Sequence, residues 1–532
     1  MKIVVGVLAL CGLPLFIVIA IMNMIAYHSL GFPNAVMFND IAELTDKAHL
    51  LPIPLFTFAG FLLARSHAPD RLVRLAEALL GWMPGGLAIV AICACTFFTT
   101  FTGASGVTII ALGGLLYPVL IERKYPEQFS LGLLTSSGSL GLLFFPALPV
   151  FIFAVVYGIS TESSEVTPEG LFLAGFIPGL ILTGVLCLYA WFKGAQLGIK
   201  RTTFSARELG SAFKEAIWEA ILPVVLVSMV MSGLVSLNEI ATLTCVYLII
   251  VEMIIHRDIH PTRDLPKLAA EAMVLVGAII LIMAMVLPAN DILKDERVPQ
   301  RLLEWFSQFV DSKIGFLIAL NIFLIIVGCL MDIFSAIVAV LPLLIPLAQR
   351  YEVEPLHLGV IFLANLEIGY LTPPVGINLF ISSFQFKKSV LSVYKSVIPF
   401  IALLFAALML FTYVPALSTA LPGRFIEMQM PDLIGPFTDD GMSDDNDLNA
   451  DELKAKYTDD DDGEGDLDGG DLDGGDLDDG DLDDGDLEDD GDLEDDGDLE
   501  DDGDLSDDGD LEDDGNLEDD GNLEDDGNLE AD

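Results

Sequence analysis

Two apolar stretches, 228 residues apart, are interrupted by glycine and proline at matching points. One reads SGSLGLLFFPALPVF from Ser137 to Phe151, the other NLEIGYLTPPVGINLF from Asn365 to Phe380. Gly141 falls opposite Gly369 and Pro146 opposite Pro374; upstream, Pro118 falls opposite Pro346 at the same offset. Glycine and proline at these positions are expected to unwind a helix and free carbonyls and amides that hydrocarbon cannot satisfy. Such a break persists only where it is buried in protein or lines a polar site. Duplicated broken helices are the pattern of a secondary carrier with its site near the bilayer midplane.

The chain is chemically two pieces. Residues 439–532 hold 49 Asp and Glu against Lys454 and Lys456, a net charge of −47, so the preceding 438 residues carry only −5 of the total −52. That segment is a repeat, GDLDD drifting into GDLEDD and GNLEDD. Its charge and lack of aromatics leave it unable to bury a core, and it is expected to be disordered. No basic patch of the kind that binds nucleic acid occurs anywhere. The six cysteines, Cys11, Cys93, Cys95, Cys187, Cys245 and Cys329, form no CxxC pair, which speaks against a zinc site or a disulfide framework. The opening MKIVVGVLALCGLPLFIVIA reads as a retained first span, because its apolar run continues past Cys11.

A helical span needs roughly 20 apolar residues. Candidates are 3–27, 50–64, 168–192, 215–236, 238–255, 270–288 and 391–416. Two longer runs, 82–121 and 314–349, break at Thr102–Gly106 and Gly328–Ser335, and each is either two spans or a re-entrant hairpin. The broken segments 129–158 and 357–386 follow them directly. The order span, span, long run, broken helix, span thus occurs twice, in a first repeat over 1–192 and a second over 238–420. A linker and connecting helix, 193–237, joins them, and the acidic tail is 438–532. Amphipathic pieces at 68–80 and 298–311 precede the two long runs. Placing the basic loops after 64, 121, 192, 255 and 386 in the cytoplasm requires the hairpin count, with the N-terminus inside and the C-terminus outside. Only the mixed-charge 290–312 departs from that rule. The expectation is an all-α polytopic membrane protein, an inverted repeat with two re-entrant hairpins and two broken helices.

Sodium takes several hard oxygen ligands, which unwound carbonyls and nearby hydroxyls supply. The second repeat offers the carbonyls of Gly328, Gly369 and Val375, the hydroxyls of Ser335 and Thr372, and the carboxylate of Asp332. The first offers Gly103, Ser105, Gly141 and the carbonyl of Phe144, with Phe144 standing where Thr372 stands. Asp332 and Glu367 are the carboxylates inside the second-repeat runs, and an acid at that depth is a functional candidate. Asp332 also suits the cap of a helix opening at Ile333, a role compatible with ion binding. Pro146, Pro373, Pro374, Asn378 and Ser382 are candidates to face substrate.

MDIFSAIVAVLPLLIP (Met331–Pro346), EPLHLGVIFLANLEIGYLTPPVGINLF (Glu354–Phe380), GWMPGGLA (Gly81–Ala88) and ILPVVLVSMVMSGLVSLNEIA (Ile221–Ala241) resemble the large permease subunit of TRAP transporters, the tripartite ATP-independent periplasmic systems. The likeness runs in order over 1–420 and leaves out the tail; GASG and FFPALP replace the family's serine-rich tip and paired prolines. It implies an elevator-type carrier in the bacterial inner membrane, driven by sodium and with no cofactor. The implied substrate is an organic acid, a C4-dicarboxylate or other carboxylate, delivered by a periplasmic solute-binding protein. A separate small four-span permease subunit is the implied partner within the lipid bilayer. The alternative is a stand-alone cation-coupled organic anion antiporter or exporter of the same superfamily. No Walker motif and no convergent nucleophile–base set points to an ATPase or an enzyme.

Overall fold

The computed structural model describes residues 13, 15–43, 50–161, 163, 165–199 and 203–429. The first residues of the first span, Cys11, the loop 44–49, Lys200, Arg201 and the acidic tail lie outside the described residues. Within them every regular element is helical. The first half comprises α1 (Leu15–Leu30), α2 (Asn34–Glu43), α3 (Pro52–Arg65), α4 (Ala68–Leu80), α5 (Gly86–Thr102), α6 (Ser105–Glu122), α7 (Glu127–Ser137), α8 (Leu148–Thr161) and α9 (Pro168–Leu197). The connecting helix is α10 (Ala206–Ser232). The second half comprises α11 (Leu237–Ile249, continued by a π-turn, Ile250–Ile255), α12 (Leu265–Asp295), α13 (Val298–Phe306), α14 (Lys313–Leu330), α15 (Ile333–Arg350), α16 (Pro355–Gly369), α17 (Ile377–Gln385) and α18 (Val390–Tyr413). A last helix, α19 (Ala416–Gln429), follows.

Eight of the described helices are long and apolar enough to cross a bilayer, and a ninth span arises if α7 and α8, bent by 44°, count as one. The two long runs do split where small or polar residues interrupt them, at Gly103–Ala104 and at Met331–Asp332. The ends are written in local chemistry. Thr167 caps α9 ahead of Pro168, Ser205 caps α10, and Ser236 with Glu239 forms a reciprocal box at α11. The connecting helix begins at Ala206 rather than 215, because the charged ARELGSAFKEA stretch winds in register with the apolar part.

One expectation is corrected. Pro118 and Pro346 do not unwind their helices; they lie inside α6 and α15. Pro118 removes one amide from α6, and Pro342 and Pro346 remove two from α15, which packed neighbours tolerate. A true break needs more. Gly141 and Pro146 stand within one short stretch where the chain leaves α7, makes a 3-10 turn at Leu140–Leu143 and runs extended at Phe144. At the other break Thr372–Gly376 separates α16 from α17.

The halves interleave. α6 packs on α17, α7 on α18 and α8 on α15, while α14 packs closely on α16 and α5 on α9. The amphipathic α4 is held on α10 by Arg71, whose guanidinium donates to Glu219 (2.7 Å), Glu252 (3.1 Å) and Asp258 (2.7 Å). Glu219 and Glu252 are fully buried, so this clamp ties the arm to the connecting helix and to the π-turn.

Candidate functional site

At the second break two of the glycines named as carbonyl ligands, Gly328 and Gly369, meet. A Cβ on Gly369 would stand 2.7 Å from the Gly328 Cα and carbonyl carbon, and one on Gly328 would stand 2.9 Å from the Leu366 Cα. Only glycine allows backbones this close. The approach brings the C-terminal end of α14 against that of α16, and the Gly376 amide donates to the Cys329 carbonyl at 3.0 Å. Helix C-termini carry partial negative charge, and two of them side by side favour a cation.

Asp332 caps α15 in the same place. One carboxylate oxygen accepts from the Ser335 amide at 3.0 Å, and the other accepts from the Ser335 hydroxyl. The Ile333 amide donates to the Tyr370 hydroxyl, which ties this cap to the end of α16. Thr372 is half-buried and donates to the Ile368 carbonyl at 3.0 Å, leaving its oxygen lone pairs free. Pro373, Pro374 and Val375 are exposed. Pro374 follows a cis peptide bond, as Pro146 does at the other break.

The first break repeats the backbone packing with other side chains. Gly141 sits on α5 so closely that a Cβ would stand 2.3 Å from the Thr96 carbonyl oxygen and 2.4 Å from the Thr100 amide. Thr100 holds the place of Gly328 at the 228-residue offset, and Ala104 the place of Asp332. Gly103 ends α5 at φ 61°, a conformation that favours glycine. The Phe144 carbonyl accepts from the Ala147 amide at 2.8 Å, and its ring lies over Gly179 of α9. Pro146 is buried.

The polar seam lies where the halves touch. Ser105 donates to the Asn378 carbonyl oxygen at 2.7 Å, and the Thr135 and Ser382 hydroxyls are 2.9 Å apart. The Thr99 hydroxyl lies 2.7 Å from both the Thr108 hydroxyl and the Gly138 carbonyl. Among the described residues, the Asn378 amide nitrogen and the Ser136 and Ser139 hydroxyls are buried with no protein partner. Buried polar groups are almost always paired, so these are available to a polar ligand. The threonines and serines of α5 and α7 did not stand out in the sequence; their visible sign is a run of hydroxyls, TTFT and TSSGS, inside apolar helices. Glu367 is buried on α16 with both carboxylate oxygens unpaired, while Asn365 donates to Asn321 at 2.7 Å.

Paired breaks, glycine-on-glycine contact and a hydroxyl-lined seam between two like halves define a helical membrane carrier. The sequence profile described as "Tripartite ATP-independent periplasmic transporter, DctM component" matches residues 3–417. The chain belongs to that family, a transporter permease component and not an enzyme. It is 32% identical over 389 residues to the C4-dicarboxylate TRAP transporter large permease protein DctM of Rhodobacter capsulatus, covering 71% of this chain and 87% of that protein. It is 32% identical to the isethionate TRAP transporter permease protein DctMQ of Oleidesulfovibrio alaskensis, over 70% of this chain and 58% of that longer protein. It is 30% identical to the sialic acid TRAP transporter permease protein SiaT of Haemophilus influenzae, over 72% and 61%. The crystal structure of the Alcanivorax borkumensis YdaH transporter shares the fold, with a TM-score of 0.53 at 11% identity over 75% of this chain and 89% of that one.

Proposed function

We propose that this chain is the large permease of a sodium-driven TRAP transporter that takes up a small organic anion across the bacterial inner membrane. The observation that carries this is the Gly328–Gly369 contact, which sets two helix C-termini beside Asp332, Ser335 and Thr372. A sodium ion there would be held by carbonyls of Gly328, Gly369 and Val375 and by these side chains. At the first break Gly103, Ser105, Gly141 and the Phe144 carbonyl would supply a second, poorer set. The anion would sit at the seam, against the Asn378 amide and the start of α17, whose N-terminal dipole favours negative charge.

Relatives named for C4-dicarboxylate, isethionate and sialic acid transport carry substrates with one common property, an anionic carboxylate or sulfonate head. The substrate class proposed for this chain is the same, most closely a dicarboxylate-like acid. A periplasmic binding protein would deliver it, and a small four-span subunit would complete the membrane unit. Elevator motion of the two broken helices with their hairpins would alternate access.

The test is uptake into proteoliposomes holding both membrane subunits, with the cognate binding protein outside. Uptake should require inward sodium and should fail for neutral analogues. Equal uptake in sodium-free buffer at constant potential would refute the coupling.

A further inference from the structure

A cavity of about 500 Å³ lies between α5, the first break, α9 and α10, with Leu421 of α19 also lining it. Phe97 and Phe101 of α5 and Phe144 and Phe145 of the break form its inner wall. Its outer lining includes Phe176 and Leu180 of α9 and Val227 and Met231 of α10, all on the exposed surface of the protein. The gap exists because α10 takes its main packing from α4 and α11 rather than from α9, the helix that precedes it.

Three classes of occupant are open to such a space, and the lining decides between them. Water needs two to four polar partners. Here Thr96 and Thr100 spend their hydrogens on the Ile92 and Thr96 carbonyls at 2.9 and 2.8 Å, which leaves the Thr183 hydroxyl as the unspent hydroxyl donor of an otherwise apolar lining. A transported anion would need cations or several donors, and none of the lining residues is charged. A partner's helix is about 10–12 Å across and would use this volume in about one turn. The mouth, meanwhile, lies along two candidate membrane spans, Pro168–Leu197 and Ala206–Ser232, so the medium that meets it is hydrocarbon.

We propose that this cavity binds one acyl chain of a membrane phospholipid, entering between α9 and α10 while its head group stays at the bilayer surface. The chain is a flexible, slender apolar ligand suited to an aromatic-walled gap. It would separate the connecting helix from α5 and the first break, and touch Phe144 directly.

The full chain, reconstituted in liposomes with a trace of phospholipid bearing a diazirine near its acyl terminus, would be irradiated and its peptides mapped by mass spectrometry. Labels are expected on inner-wall residues such as Phe97 and Phe144 as well as on the rim. Val227→Trp at the mouth should abolish inner-wall labelling and leave labels on the remote lipid face of α14 unchanged. Leu180→Trp gives the same readout from the opposite wall, should the first variant fail to fold. Rim labels without inner-wall labels in the wild type would overturn the proposal. So would inner-wall labelling that survives a folded Trp variant. Labelling that disappears in the assembled transporter would mean that a partner's side chains fill the cavity, and would overturn it equally.

Discussion

The two breaks share a backbone plan and differ in what they offer a ligand. In both, a glycine of the broken helix lies directly on the facing helix: Gly369 on Gly328, and Gly141 on the backbone of Thr96–Thr100. In the second break that contact is surrounded by an acid, a serine and a threonine. In the first, Ala104 stands in place of Asp332 and Phe144 in place of Thr372. The lesson is that breaking a helix and surrounding the break with hard oxygen groups are separable properties. Close packing demands glycine in both halves, whereas hard oxygen ligands gather around one. The first break spends its hydroxyls on bridging helices, through Thr99, Thr108 and the Gly138 carbonyl.

The largest expected effect lies away from both breaks and separates folding from ion binding. Arg71→Ala would leave Glu219, Glu252 and Asp258 together without their cation, and breaking a buried pair in this way costs about 3–5 kcal/mol. Thermal unfolding in detergent should show that loss, while sodium half-saturation of the folded fraction stays as in the wild type. Burial pushes the Asp258 carboxyl up, but hydrogen bonds from Arg71 and from the His67 amide outweigh it and hold the group below its ordinary value. Its contribution is therefore present above the unfolded carboxylate pKa of about 3.9 and disappears as pH falls through the folded value. In the alanine variant that acid limb should flatten. A shift in sodium dependence would instead connect the arm to the ion site.

Asp332→Asn is the next in size and the sharpest probe of the difference between halves. A hydrogen bond to a charged group contributes about 1.5–3 kcal/mol, so sodium half-saturation should rise about 10- to 100-fold. Ala104, its counterpart, has no oxygen to lose, and Ala104→Gly should leave sodium dependence unchanged. If Asp332→Asn transports like the wild type, the carboxylate serves only as the cap of α15.

The break positions were legible because packing of this closeness admits only glycine, and a residue type with one structural use leaves a mark at a fixed offset. The cap at Asp332 was legible for a similar reason, since the helix opens where sequence spacing places it. Proline was over-read: Pro118 and Pro346 repeat at the same offset as the true breaks yet sit in continuous helices. Prolines set apart within a helix are a weaker disruption than a glycine–proline stretch. The seam was legible only residue by residue: Ser105, Asn378 and Ser382 stood out singly, while Thr135 and the pairing of all four did not. Ser105 meets Asn378 across 273 residues and Thr135 meets Ser382 across 247, and no local periodicity encodes which distant helices will touch.

Gly369→Ala and Gly141→Ala test the shared half of the comparison. Each added methyl collides with backbone, and overpacking of this kind costs about 1–3 kcal/mol. Both variants should lose stability by similar amounts, but only Gly369→Ala should also weaken sodium dependence, because it pushes the ends of α14 and α16 apart. If Gly141→Ala is neutral in thermal unfolding, the first break is not held by backbone contact and the equivalence fails.

The smallest effect concerns one hydroxyl in each half. Thr372 and Thr100 both donate back to their own helices, at 3.0 Å to Ile368 and 2.8 Å to Thr96. Valine keeps the shape of either side chain and removes its oxygen. At Thr372 the lost group is half-buried beside the exposed Pro373, where its lone pairs can reach an ion. At Thr100 the hydroxyl lies 3.3 Å from the Gly141 carbonyl within the packed contact. A neutral hydrogen-bonding group contributes about 0.5–1.5 kcal/mol. Thr372→Val should therefore raise sodium half-saturation about 2- to 10-fold with little change in unfolding, and Thr100→Val should lower the unfolding temperature with little change in sodium dependence. The opposite assignment, measured by sodium titration of uptake alongside thermal unfolding, would place the stronger cation site at the first break and reverse the reading of the two halves.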